Sequence, residues 1–240
     1  GQSLTPVFEE LIRRHEEGLS FANVVVFNAY EYFPLKVGSK NSSLHKLHEL
    51  FLDKVDIKAC NIFSPDGTIG QEDVQDHCRA YEQTIADKGG LDIIVLGIGR
   101  MGNIATNEPG STITSTSRII LTDAISREEM TMSFGSQEPV PPCTLTMGVA
   151  TILKAKKIFL TAWGDEKANI IEKTVEGPIT DTIPATFLQT HNDATVVIDL
   201  AAAAKLTRIV RPWLVTNCEW TDKLTRSAVV WLCLKTGKPI

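Results

Sequence analysis

The 240 residues include 24 Lys and Arg against 29 Asp and Glu, a net charge of −5, with 43% apolar and 22% charged residues. That apolar share excludes a disordered tail or a fibre, and the length suits one large domain or two small ones. The mildly acidic balance argues against nucleic acid or an anionic membrane as partner, because both need a clustered basic face.

No uninterrupted apolar run approaches the roughly 20 residues that cross a bilayer. The cysteines Cys60, Cys78, Cys143, Cys218 and Cys233 are odd in number and widely spaced, without a C-x-x-C pair. That pattern favours the reduced thiols of a cytoplasmic protein over a zinc or disulfide framework. The opening residues show neither the basic nor the apolar region of a signal peptide.

In chain order, Thr5-Pro6 reads as an N-cap followed by proline at the first helical position, with a helix to Glu17. The run ANVVVF (22–27) is a buried-strand pattern, and Leu44, Leu47, Leu50 and Phe51 mark a second helix. A helix over 72–88 ends at Gly89-Gly90, and LDIIVL (91–96) is a second strand. Strands follow at 118–121 and at 157–162 (KIFLTA), then a helix at 165–175, a strand at 194–198 (ATVVI) and a helix at 222–234. The stretch 123–142 is polar and proline-rich and reads as a long loop of the kind that serves as a lid. Strands separated by helices imply an α/β domain with parallel pairing, and ligands in such sheets sit beyond the carboxyl ends of the strands.

Gly97, Gly99 and Gly102 form G-x-G-x-x-G after a strand, with Asp123 about 20 residues on, a spacing known from dinucleotide sites. The motif must open a helix whose N-terminus holds the pyrophosphate. Here Pro109 and Gly110 follow too soon, so a loop shaped around a small ligand, presenting Glu108, is the better reading. The histidines 15, 45, 48, 77 and 191 fall mostly on polar helix faces, and the four tryptophans read as core or interface anchors.

The segment LGIGRMGNIATNEPGS (96–111) resembles the signature L-G-I-G-x-D-G-H-I-A-F-N-E-P of the glucosamine-6-phosphate deaminase (isomerase) family. In the same order VVFNAYEY (25–32) is similar to F-N-x-D-E-Y, and TLTMGVATIL (144–153) to A-L-T-x-G-x-x-T-L-L. GDEKA (164–168) is similar to G-x-x-K-A, VEG (175–177) is shared, and Thr5-Pro6 is similar to the end of a phosphate loop T-G-x-T-P. The resemblance implies a modified Rossmann-like three-layer sandwich with a mostly parallel sheet. The family's first strand and helix have no counterpart in this sequence. It also implies conversion of glucosamine 6-phosphate to fructose 6-phosphate and ammonia without metal or redox cofactor, and a homo-oligomer.

Role by role, the implied site is mixed. The family's aspartate base falls on Tyr30, the aspartate of D-G-H on Met101 and its ring-opening histidine on Asn103, while the glutamate of N-E-P is kept as Glu108. Asparagine exchanges no proton near neutral pH, and tyrosine titrates near 10, so Glu108, with Glu31 as substitute base, carries what acid/base chemistry remains. The candidate catalytic positions are thus Glu108, Glu31, Tyr30 and Asn103. The candidate contacts to a hexosamine phosphate are Ser3, Thr5, Gly99, Lys167 and Arg127. The family's lid arginine falls near Met132, and Arg127 supplies its charge if the register shifts. Residues 1–207 form the deaminase-like domain. Residues 208–240 are an extension packing on it or leading to a further domain, similar to longer relatives fused to a de-N-acetylase-like domain. The alternative is a degenerate sugar-phosphate-binding or structural module serving a second catalytic domain.

Overall fold

A computed structural model describes residues 2–131, 134 and 139–239. Among the described residues the strands fall into three hydrogen-bonded sets. Strands β1 (Val26–Phe27) and β3 (Ile62–Phe63) form a parallel pair. Strands β4 (Ile93–Gly97), β7 (Lys157–Ala162) and β8 (Ala194–Ile198) form a parallel sheet in the order β4-β7-β8. Strands β2 (Tyr30–Phe33), β5 (Arg118–Leu121) and β6 (Cys143–Thr146) form an antiparallel sheet with β6 at its centre. The α/β class holds, but Arg118–Leu121 joins the antiparallel sheet instead of the parallel one.

The parallel sheet carries the main core. Ile94, Leu96, Ile158, Leu160 and Ala162 alternate onto one face and are buried there with Tyr81 and Ile85 of helix α3 (Val74–Asp87). Phe27 and Phe63 pack against the same cluster, their rings stacked at 5.2 Å. Helix α1 (Thr5–Glu16) and helix α2 (Ser43–Leu50) close a second cluster around Phe21, Phe51 and Leu52. Helix α3 ends as its glycines dictate: Gly89 and Gly90 adopt φ of +90° and +84°, and Gly90 N donates to Ile85 O.

Helix α4 (Ala124–Thr131) occupies the stretch expected to be a loop. Asp123 starts it: its side chain accepts from Ile125 N and its carbonyl from Arg127 N. Thr5 is the first helical residue of α1 and not its cap; a 3-10 turn over Gln2–Leu4 precedes it, and Leu4 holds the capping position. A 3-10 turn over Asp165–Lys167 likewise precedes α6 (Ala168–Glu176), whose Ala168, Ile170 and Ile171 are buried. The short helices α5 (Val149–Ile152) and α7 (Thr207–Val210) link the larger elements. Helix α8 (Asp222–Thr236) starts at Thr221, whose hydroxyl accepts from Leu224 N, and buries none of its residues. Trp213 packs with Trp220 and Trp231 beside it, centroids 6.1 and 6.2 Å apart. Among the described residues no helix is long and apolar enough to cross a membrane.

The two faces of the antiparallel sheet have different tasks. Leu145 and Phe33 point to one face and are buried with Val74 and Cys78 of α3. Tyr30, Thr144, Thr146 and Arg118 alternate onto the other, toward the loop that follows β4. Leu145 is fully buried between β2 and β5. Leu145→Ala is therefore expected to lower unfolding stability by about 2–5 kcal/mol, read from urea denaturation midpoints.

Candidate functional site

The site is built on the loop after β4. Instead of a helix, residues 98–111 make a series of turns in which Ala105 and Thr106 adopt positive φ of 45° and 58°. This backbone cannot present a helix N-terminus to a pyrophosphate. Gly99 is required by a close approach, because the Asn103 side chain lies over its Cα where a Cβ would stand. Gly99 N also donates to Asn103 O at 3.0 Å.

The antiparallel sheet holds this loop from the other side. Thr106 and Thr144 share a hydroxyl bond of 2.8 Å, and the Thr146 hydroxyl donates to Ala105 O. Asn107, wholly buried, donates through Nδ2 to Ile104 O at 3.0 Å and Met147 O at 2.8 Å. Its Oδ1 accepts from Arg118 Nη1 at 2.9 Å, and Arg118 Nη2 reaches Ser111 Oγ at 2.7 Å. Burial lowers the Arg118 pKa from its ordinary value. Among the described residues this guanidinium forms no ion pair, so its charge is spent on the neutral groups of the N-E-P-G turn.

That turn points Glu108 inward, where it is 4% exposed. Its Oε2 accepts from Ser126 Oγ of α4 at 3.0 Å, and its Oε1, fully buried, has no hydrogen-bond partner. Ser126 in turn accepts a long 3.5 Å contact from Asn103 Nδ2, leaving Asn103 Oδ1 buried and unpartnered as well. Burial raises the Glu108 pKa, opposed by the Ser126 hydroxyl and assisted by the charges of Asp123 and Glu129. Buried polar atoms are normally satisfied. Among the described residues, Glu108 Oε1 and Asn103 Oδ1 are two buried acceptors without a partner, and both side chains meet Ser126.

The other candidate acid/base groups are placed differently. Glu31, 3% exposed, accepts from Tyr32 N, Ser42 Oγ, Ser43 N and Leu44 N at 2.6–3.1 Å. It satisfies the free N–H groups at the start of α2, where a negative charge is favoured, and both its oxygens are engaged. Tyr30 packs edge-on to Tyr32 at 5.7 Å. Burial pushes its hydroxyl pKa above the ordinary value, with Tyr32 and Ser43 pulling the other way. Both observations weigh against a proton-transfer role: Glu31 acts as the anchor of α2, and Tyr30 is displaced further from neutral pH.

The phosphate-side candidates gather at the carboxyl ends of β4 and β7. Ser3 O accepts from Trp163 Nε1 at 2.9 Å, and Ser3 Oγ sits against Gly97 at the end of β4. Thr5, half-buried, follows in the first turn of α1. Lys167, with its side chain 18% exposed, lies 3.5 Å from Glu129 Oε1. Arg127 is exposed on α4, where its charge acts on the Cys143 thiol. Met132 lies outside the described residues.

Ser126, Arg118 and Arg100 carry no signal in the sequence that marks them as site residues. Ser126 lies in the stretch read as a loop, and no local pattern singles it out. Arg118 was visible only as the start of a strand, and Arg100 as the variable position of the glycine motif. Of the histidines, His191 is held by Ala155 O and Asp193 N, His77 accepts from Asp66 N, and His48 pairs with Asp53. Among the described residues no three His, Cys, Asp or Glu side chains gather as a metal-binding group.

Comparison with known proteins gives a consistent picture. The sequence model of the glucosamine-6-phosphate isomerases/6-phosphogluconolactonase family matches residues 1–197. A glucosamine-6-phosphate deaminase-like protein of Bacteroides thetaiotaomicron is 60% identical over the whole chain, which spans 36% of that relative's length. The glucosamine-6-phosphate deaminase of Pseudarthrobacter chlorophenolicus is 39% identical over 86% of this chain and 79% of its own. A solved monomeric glucosamine-6-phosphate deaminase superposes with a TM-score of 0.80 at 37% identity, covering 84% of this chain and 83% of its own.

Two substitutions separate the carboxyl roles. Glu31→Gln replaces an acceptor by a donor among N–H and O–H groups, and should cost about 1–3 kcal/mol in urea unfolding. Because the folded pKa of Glu108 is raised, its contribution to stability is full below the ordinary carboxylate range. It is lost as pH rises through the raised value. Glu108→Gln should therefore match the parent at about pH 4 and become the more stable of the two by about pH 8, compared by urea midpoints.

Proposed function

The chain belongs to the glucosamine-6-phosphate isomerases/6-phosphogluconolactonase family, and from that premise we propose that it binds a hexosamine phosphate at the cleft between the 98–111 loop and α4. In this reading it opens the sugar ring and releases the amine as ammonia. The observation that carries the reading is Glu108, a buried carboxyl with one oxygen held by Ser126 and the other free. A carboxyl whose pKa burial raises keeps its proton to higher pH than a free one, which suits it to hand that proton to the ring oxygen and then recover it. Asn103 supplies a free carbonyl acceptor where the family's histidine would stand, so it orients a sugar hydroxyl without exchanging protons. Lys167 and Ser3 receive the phosphate end at the carboxyl edge of the parallel sheet.

The substitutions at positions 30, 101 and 103 favour a specific second reading, a domain that binds the sugar phosphate with little turnover. The 36% share of the longer Bacteroides relative accommodates it, with residues 208–240 leading to a further domain. For this chain, homo-oligomer formation and cytoplasmic residence belong to the same proposal.

Ammonia release from glucosamine 6-phosphate at high protein concentration separates the readings. Loss of a positioned acid/base group lowers rates by about 10²–10⁴, so slow release is expected, lowered a further ~100-fold in Glu108→Gln. Turnover unchanged by Glu108→Gln would remove Glu108 from the chemistry. Lys167→Ala should raise KM more than it lowers kcat, as expected for a contact made equally to substrate and transition state.

A further inference from the structure

Two cations from different strands converge on one oxygen beside the proposed ligand cleft. Arg100 follows β4 and Lys167 follows β7, adjacent strands of the parallel sheet. Arg100 Nε lies 3.2 Å and Lys167 Nζ 3.5 Å from the same atom, Glu129 Oε1. Glu129 Oε2 also faces Arg100 N at 3.5 Å. The carboxylate comes from α4, a separate element, and is three-quarters buried there. Two positive groups held this close repel one another unless an anion lies between them, and Lys167 is largely withdrawn from water.

We propose that Glu129 is a built-in competitor for the phosphate of the ligand: its carboxylate fills the place between Arg100 and Lys167 that a phosphate monoester takes on binding. Arg100 is then a second cation for that phosphate, and α4 must release Glu129 before the ligand is held. The inference rests on the reading of Lys167 as a phosphate contact. The exchange is favourable in charge, since a phosphate monoester carries about −1.5 to −2 at neutral pH and three acceptor oxygens, against one charge and two oxygens for the carboxylate. It also joins the two halves of the cleft. Ser126, which holds Glu108, lies three residues before Glu129 on the same helix. An anion that expels Glu129 therefore acts on the helix that positions the carboxyl.

Calorimetric titration of inorganic phosphate and of glucosamine 6-phosphate into the parent, Glu129→Gln and the double variant Glu129→Gln/Arg100→Ala tests this. Glu129→Gln should bind both ligands about 3- to 30-fold tighter, the range that release of two partly exposed ion pairs allows. The double variant should lose that gain. Equal or weaker phosphate binding by Glu129→Gln overturns the proposal, as does a gain that survives Arg100→Ala. If the parent binds glucosamine 6-phosphate in a Lys167-dependent way and Glu129→Gln gains nothing, the competitor fails while the proposed function stands. If Glu129→Gln gains affinity for inorganic phosphate while no variant binds the hexosamine phosphate, the competitor stands and the proposed ligand fails.

Discussion

The buried amide of Asn107 fixes the geometry on which the site depends. Its three hydrogen bonds tie the turn after β4 to Ile104, to the end of β6 and to Arg118 of β5. A buried side-chain amide with every group paired admits one loop conformation, because any other leaves polar atoms unsatisfied in a dry interior. Arg118 reinforces it by spanning Asn107, the first residue of the N-E-P-G turn, and Ser111, the residue just after it. Glu108 sits between those two residues and is carried inward by the turn. There one of its carboxyl oxygens accepts from Ser126, and the other has no partner among the described residues.

Two different structural devices meet across this clamp. The parallel sheet ends in loops that gather Ser3, Arg100 and Lys167, the groups suited to an anion. The antiparallel sheet presents Tyr30, Thr144, Thr146 and Arg118 to the opposite side of the 98–111 loop. Helix α4 touches both halves, through Ser126 on Glu108 and Glu129 on Arg100 and Lys167. Lys167 matches the motif G-x-x-K-A, whereas Tyr30, Met101 and Asn103 differ from the residues at the matching motif positions.

What could be read from the sequence followed the strength of the local signal. The strands at 93–97, 157–162 and 194–198 are runs of apolar, mostly β-branched residues. Burial on a parallel sheet imposes that composition, so they were legible. The pairs Val26–Phe27 and Ile62–Phe63 are only two residues long, and Ile62–Phe63 carries no alternation to detect. The antiparallel sheet escaped because Tyr30–Phe33 and Cys143–Thr146 are polar on the face that meets the loop. In the second of these, Thr144 and Thr146 answer to Thr106 and Ala105, partners distant in sequence. Helix α4 was hidden for a related reason. Its buried residue is Ser126, not an apolar one, so no hydrophobic stripe announces it. Glu31 was legible as a motif residue but not as the anchor of α2, since that role depends on where Ser42 and Ser43 fold back.

The separation of the two halves bears on how such a site can change while the fold persists. The residues that match the family's acid/base motif positions lie on β2 (Tyr30) and along the 98–111 loop (Met101, Asn103 and, at its N-E-P-G turn, Glu108). Only the last is locked by the clamp. The residue at position 30 does not set the β2–β6 register, because that register rests on backbone pairing and on Leu145 and Phe33 behind the sheet. Asparagine at 103 keeps the side-chain fold over Gly99 that the loop requires. Glutamate at 108 has no such freedom to be replaced by a larger or apolar residue, since its Ser126 bond is part of what holds α4 against the loop. Proton-transfer groups on the loop and on β2 can therefore be substituted without loss of the fold, whereas Glu108 and the cation pair are tied to the packing of α4.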